Sequence, residues 1–200
     1  LVMHPVNELL AASNYREVDG KLRLVQKNTR MLQRLSEEIL NFEKIEKNKY
    51  YLNFKTANLG KFLSEIIQSY EPEIKRLGLS LEVKTPEQLH AYFDAAAIEK
   101  VMANLLSNAI KYNIEGGSIA IEVKKIRNSI TVAVSDTGIG IAEEDIHHIF
   151  DRYYRVSHFP GEQNRSGTGL GLAICMHLIQ LHHGQIRAKS ELGAGSTFFF

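Results

Sequence analysis

Four segments concentrate side chains suited to chemistry. The first runs Asn104-Leu-Leu-Ser-Asn108-Ala-Ile-Lys111-Tyr112. Asn104, Asn108, Lys111 and Tyr112 fall at i, i+4, i+7 and i+8, one face of a helix. Leu105, Leu106, Ala109 and Ile110 take the other face. An amide oxygen is a hard neutral ligand acceptable to Mg²⁺, and a lysine ammonium offers a point charge to phosphate. The face therefore suits a metal–phosphate unit, and it equally describes a solvated polar face. The second segment, Asp136-Thr137-Gly138-Ile139-Gly140-Ile141, follows a strand-like run. A carboxylate there can accept from an exocyclic amine, and paired glycines permit a sharp turn and close backbone approach. A strand-ending Asx turn has the same composition. The third, Ile149-Phe150-Asp151-Arg152-Tyr153-Tyr154-Arg155, alternates aromatics with arginines before a polar stretch. Arginine can reach phosphate oxygens and tyrosine can line a nucleotide pocket; a helix end packing its aromatics is the plainer reading. The fourth, Gly167-Thr168-Gly169-Leu170-Gly171-Leu172, opens a helical run. Glycines at a helix start expose N–H groups and the positive dipole end to an anion. No Gly-Lys-Ser/Thr follows, so it is not a Walker A loop, and it is too short for a dinucleotide fingerprint.

These segments need elements to hold them. From Gly20 to Asn48 there is no proline, and apolar residues recur at Val25, Leu32, Leu35, Ile39 and Phe42 with Asn28 in the skipped slot. That is a heptad seam, widened by Leu24, Met31 and Ile45. Residues 1–12 also read as helix and 13–20 as a turn, so a helical hairpin is expected that dimerises into a four-helix bundle. Packing of the hairpin on its own C-terminal domain is the alternative. After residue 48 the periods mix. Strands are expected at 52–56, 79–84, 91–93, 118–126, 129–135, 185–189 and 196–200. Helices are expected from the Asn58 cap to near Gly78, over 95–112 and over 166–182. The fold expected is α+β: a bundle segment at 1–48, then an α/β sandwich at 49–200, one mixed sheet with helices on one face.

Composition narrows the class. The 200 residues suit one large or two small domains at ~100–200 residues each. The chain is 44% hydrophobic and 24% charged, which excludes a disordered or collagen-like chain. A net charge of +1 gives no electrostatic case for nucleic acid. The single cysteine, Cys175, builds neither an internal disulfide nor a cysteine zinc site, and suits a reducing compartment. No apolar run approaches the ~20 residues of a bilayer span. The chain reads as a cytoplasmic piece of a longer protein, whose other parts can include a membrane anchor. His177, His182 and His183 read as structural residues.

In this order and spacing, the four segments resemble the N box, first glycine box, F box and second glycine box of the sensor histidine kinase ATP-binding domain. That superfamily includes the heat-shock chaperone ATPases, type II topoisomerases and MutL. The resemblance covers essentially the whole chain and implies a Bergerat-type fold. It implies ATP and Mg²⁺ as cofactors, with Asn108 as the metal ligand and Asn104, Lys111 and Tyr112 along the triphosphate. Asp136 would bond the adenine amine, with Gly138 and Gly140 shaping that wall. Arg152, Tyr154 and Arg155 would lead into a mobile lid at about 151–166. Gly167, Gly169 and Gly171, with Thr168 and Leu170 between them, would hinge that lid and meet phosphate. Asn108, Lys111 and Arg155 would carry phosphoryl transfer. The preceding helices resemble the later part of the dimerisation and phosphotransfer domain, which implies a homodimer and a response-regulator receiver as partners. The family's H-E-x-R-T-P box is absent: no glutamate follows His4, so the acceptor histidine is expected before Leu1. The chaperone and topoisomerase branch places a glutamate where Asn104 stands, and an amide cannot act as that base. A nucleotide-sensing dimerisation module without catalysis is the other alternative.

Overall fold

The computed structural model describes residues 50–156 and 168–200, together with helical positions between 22 and 43. The chain divides into two compact units, Leu1–Tyr50 and Tyr51–Phe200. In the first, the described positions from Leu22 to Glu43 are helical, and Val25, Leu32 and Leu40 among them are exposed. The expected first helix, the turn at 13–20, and Leu35, Ile39 and Phe42 of the seam lie outside the described residues.

The second unit runs β1 (Lys55–Asn58), α1 (Leu59–Arg76), β2 (Ser80–Lys84), β3 (His90–Phe93), α2 (Ala95–Lys111), β4 (Ser118–Ile126) and β5 (Ser129–Asp136). It continues with α3 (Glu143–Ile146), α4 (Gly171–Leu181), β6 (Arg187–Glu191) and β7 (Gly195–Phe199). Five strands form one sheet in the order β2-β4-β5-β7-β6. β2 lies parallel to β4 and every other pairing is antiparallel, so the sheet is mixed as expected. Alternation buries Ile119, Ile121 and Val123 of β4, Val132 and Val134 of β5, and Phe198 of β7 on one face. The other face carries Ala120, Glu122, Thr131, Ala133, Ser135 and Thr197, none of them buried. The helices cover the first face with Leu63, Ile67 and Ile74 of α1, Val101, Met102, Leu105 and Leu106 of α2, and Leu178 of α4.

Three expectations shift. β1 and β3 do not join the main sheet; they form a separate two-stranded ribbon, Lys55 opposite Phe93 through Asn58 opposite His90. Both strands are short, and their pairing spans α1, a distance that local patterning does not encode. The first strand also starts at Lys55 rather than 52, and its last residue, Asn58, caps α1 by accepting from the Lys61 N–H at 3.1 Å. The helix expected over 166–182 begins only at Gly171. Gly169 sits at φ +73°, a left-handed conformation that no α-helix continues through. The last two strands move by a residue or two because their hairpin turns at Gly193.

Candidate nucleotide site

α2 carries the first segment. It starts because the Asp94 carboxylate accepts from the Ala97 N–H at 2.9 Å, an N-cap. It ends at Tyr112, whose N–H reaches the Asn108 carbonyl at 2.9 Å. Asn108 Nδ2 donates to Asn104 Oδ1 at 3.2 Å. That bond uses the nitrogen end of the Asn108 carboxamide, and the oxygen end is the one chemically fit for a hard cation. Lys111 Nζ donates to the Tyr112 hydroxyl at 2.9 Å and lies 4.6 Å from the centre of that ring.

The second segment leaves the end of β5 and folds against the end of α2. The Ile139 N–H donates to the Tyr112 carbonyl at 3.0 Å. A side chain at Gly138 would put Cβ 2.2 Å from that same oxygen, so only glycine lets the turn come so near. Asp136 Oδ1 accepts from the Gly138 N–H at 2.9 Å, and the Ser196 N–H also bonds this carboxylate. Burial pushes the Asp136 carboxyl up and the two N–H bonds pull it down; burial wins, and the group sits above the usual carboxylate range.

The third and fourth segments meet each other. Tyr153, exposed and at φ +61°, donates its N–H to the Gly169 carbonyl at 3.0 Å. Tyr154 turns the other way and donates its hydroxyl to the buried Asp145 of α3. That carboxylate bond, with burial, raises the Tyr154 phenol. Arg152 and Arg155 are exposed on the stretch leading to residue 156. Arg152 also bears on α4: burial and then its charge hold His177 below the usual imidazole range. Thr168 Oγ1 accepts from the Leu170 N–H at 3.1 Å, and Leu170 is buried. Gly167 and residues 157–166 of the expected lid lie outside the described residues.

α4 lies antiparallel on α2. A Cβ on Gly171 would fall 2.0 Å from Asn104 Nδ2, so the start of α4 presses on the first segment. Cys175 Sγ stands 4.0 Å from the Val101 carbonyl, and His182 Nε2 accepts from the Asp94 N–H at 3.1 Å. His182 Nδ1 bonds the Leu178 carbonyl at 2.7 Å, so this histidine is a structural tie between two helices. Cys175 is buried, and burial pushes its thiol up to about 12. The residue before α4, Leu170, has no side chain that can cap the helix start. The first N–H groups of α4 are the kind that bind an anion, and they stand beside Asn104.

The residues fit a metal-bound nucleotide. A half-buried carboxylate stands at one end of the Tyr112–Ile139 contact. Two carboxamides, a lysine and the start of α4 stand at the other. Sequence reasoning missed Asn113 and Ser196 and gave Thr137 of the second segment no role of its own; all three surround the Asp136 turn. Ser196 pairs with Asp136 across β5 and β7, a partnership visible only from strand register.

Comparison with known proteins places the fold. The sequence profile described as "Histidine kinase-, DNA gyrase B-, and HSP90-like ATPase" matches residues 93–200. Sensor protein SrrB of Staphylococcus aureus (strain NCTC 8325 / PS 47) is 32% identical over 182 residues, 91% of this chain and 31% of that protein. The chain thus spans about a third of the length of the curated relatives it matches. Among solved structures, a nucleotide-free catalytic domain of histidine kinase ThkA superposes with a TM-score of 0.65 at 28% identity, covering 74% of this chain and 96% of that one. Full-length ShkA in complex with AMPPNP shares the fold, with a TM-score of 0.79 at 21% identity over 100% of this chain and 43% of that one.

Proposed function

Because the chain belongs to the histidine kinase-, DNA gyrase B- and HSP90-like ATPase family, we propose that it binds Mg·ATP as the catalytic core of a two-component sensor kinase. The observation that carries this reading is the close approach of the α4 start to Asn104, which accepts a hydrogen bond from Asn108 Nδ2. In this reading Asn108 holds the metal, and Asn104, Lys111 and Tyr112 line the triphosphate. Asp136 accepts from the adenine amine between Gly138 and Gly140. Arg152, Tyr154 and Arg155 form the root of a lid, and residues 167–171 form its far hinge. The bound metal would neutralise phosphate charge. The residues do the positioning on which phosphoryl transfer mainly depends. The γ-phosphate passes to a histidine on the dimerisation helices and then to an aspartate of a receiver domain. Residues 1–48 supply the later part of the homodimer bundle, and the core works in the cytoplasm. SrrB is named a sensor protein and ThkA a histidine kinase, which favours this branch over the ATP-hydrolysing one.

Calorimetry of this chain with ATP, with and without Mg²⁺, tests the reading. Wild type should bind in the micromolar-to-millimolar range. Asn108→Ala should weaken Mg·ATP by roughly ten-fold or more and change metal-free ATP little. A folded chain that binds no ATP would sink the proposal.

A further inference from the structure

We propose that Asn113 and Thr137 are positioning residues that set base specificity by clamping the turn that follows Asp136 and holds its carboxylate through the Gly138 N–H. This rests on the nucleotide reading above and deepens it at the base end. The turn leaves β5 after Asp136 and has no secondary structure of its own until α3. Three backbone bonds hold it: Thr137 N–H to the Ser118 carbonyl at 3.2 Å, Ile139 N–H to the Tyr112 carbonyl at 3.0 Å, and Gly193 N–H to the Ile139 carbonyl at 2.8 Å; farther on, the Ile141 N–H donates to Ser190 Oγ at 2.8 Å. The side chains close the clamp. Thr137 Oγ1 accepts from the Ser118 N–H at 2.8 Å, and its own hydroxyl faces Asn113 Oδ1 at 3.4 Å and the Ser118 carbonyl at 3.5 Å. Asn113 Nδ2 donates to the Ala109 carbonyl of α2 and to the Ser118 carbonyl of β4, each at 3.1 Å. Asn113 Oδ1 also accepts from the Ile114 N–H at 3.0 Å. One carboxamide and one hydroxyl thus join the end of α2, the start of β4 and the glycine turn. The space between them is full: a Cβ at Gly117 would lie 2.2 Å from Asn113 Oδ1 and 2.8 Å from Thr137 Oγ1.

The consequence follows from what a carboxylate can read. Adenine offers an amine where guanine offers a carbonyl oxygen. A carboxylate held in place accepts from the first and repels the second. The Asp136 backbone is paired on both sides in the sheet, but its carboxylate leans on the Gly138 N–H of the turn, so a turn free to shift would let the carboxylate move off the base edge and lose that discrimination, while the phosphate end stays intact. A purely structural role for the clamp would instead weaken both nucleotides alike.

The experiment measures Mg·ADP and Mg·GDP affinities on the whole chain for wild type, Thr137→Val, Thr137→Ser and Asn113→Ala. Valine keeps the shape of threonine without its hydroxyl; serine keeps the hydroxyl. The ADP-over-GDP preference should fall about five-fold in Thr137→Val and in Asn113→Ala, the size of one lost hydrogen bond, and stay near wild type in Thr137→Ser. An unchanged preference in the folded variants, or an equal loss for both nucleotides, overturns the inference. Hydrogen exchange of the wild-type Ser118 amide keeps the test decisive should a variant not fold: the clamp requires protection, and free exchange contradicts it. Wild type binding neither nucleotide would fail the functional reading instead, while the Ser118 amide still reports on the clamp.

Discussion

Asp136, in the proposed reading, serves recognition at the expense of stability. Its carboxylate accepts N–H bonds from Gly138 and Ser196, yet burial leaves it easier to protonate than an ordinary aspartate. A carboxyl whose folded value is raised opposes folding when ionised, and that opposition vanishes as pH falls through the raised value. Asp136→Asn should therefore abolish adenine-nucleotide binding without lowering Tm at neutral pH. A drop of several degrees in a thermal melt would contradict this. Wild-type affinity for ADP should also begin to fall at a milder acidity than an ordinary carboxylate would give, because the protonated group no longer accepts from the amine. Asp136 itself was legible in the sequence, since a carboxylate before paired glycines at a strand end is a local pattern. Its supports were not. Ser196 reaches it through strand pairing, and Thr137 and Asn113 matter only once β4 returns beside α2.

The antiparallel pair of α2 and α4 positions the site at the scale of elements. Gly171 touches Asn104 at one end, and His182 receives the Asp94 N–H at the other. Asp94 also accepts from the Asn53 N–H at 2.6 Å, tying the chain that enters this unit to the start of α2. Burial pushes the Asp94 carboxyl up. The Ala97 and Asn53 N–H groups, the nearby His182 and the Ala96 N–H outweigh it and hold the group below the usual range. Its stabilisation is thus present above the ordinary carboxylate range and is lost as pH falls through the lowered folded value. Asp94→Ala should cost about 1–2 kcal/mol at neutral pH, a Tm drop of roughly 2–8 °C for a unit of this size. The gap from wild type should close in strong acid. A melting series across pH checks both, and a pH-independent gap would refute the role of the charge. The helices were legible from their apolar period and the Asn58 cap, whereas the Asp94 cap of α2 is a finding of the structure. The late start of α4 was not, because glycine composition does not reveal that Gly169 turns left-handed.

The whole molecule joins two units, Leu1–Tyr50 and Tyr51–Phe200, and the proposed chemistry belongs to the second. Its mixed sheet, with one buried face, was readable because strand alternation and helix period differ so plainly between segments. The separate β1–β3 ribbon was not readable, since nothing in either short strand names its partner. The central claim is that one site spans the Asp136 turn, the Asn104–Tyr112 face and the start of α4. NMR titration of the isotope-labelled chain with Mg·ADP tests it most directly. The account predicts shifts concentrated at Asn104, Asn108, Asp136, Gly138, Gly140, Gly169 and Gly171. Shifts centred elsewhere, such as the groove between α1 and β2 lined by Lys61, Gln68 and Val83, or no shifts at all, would contradict it.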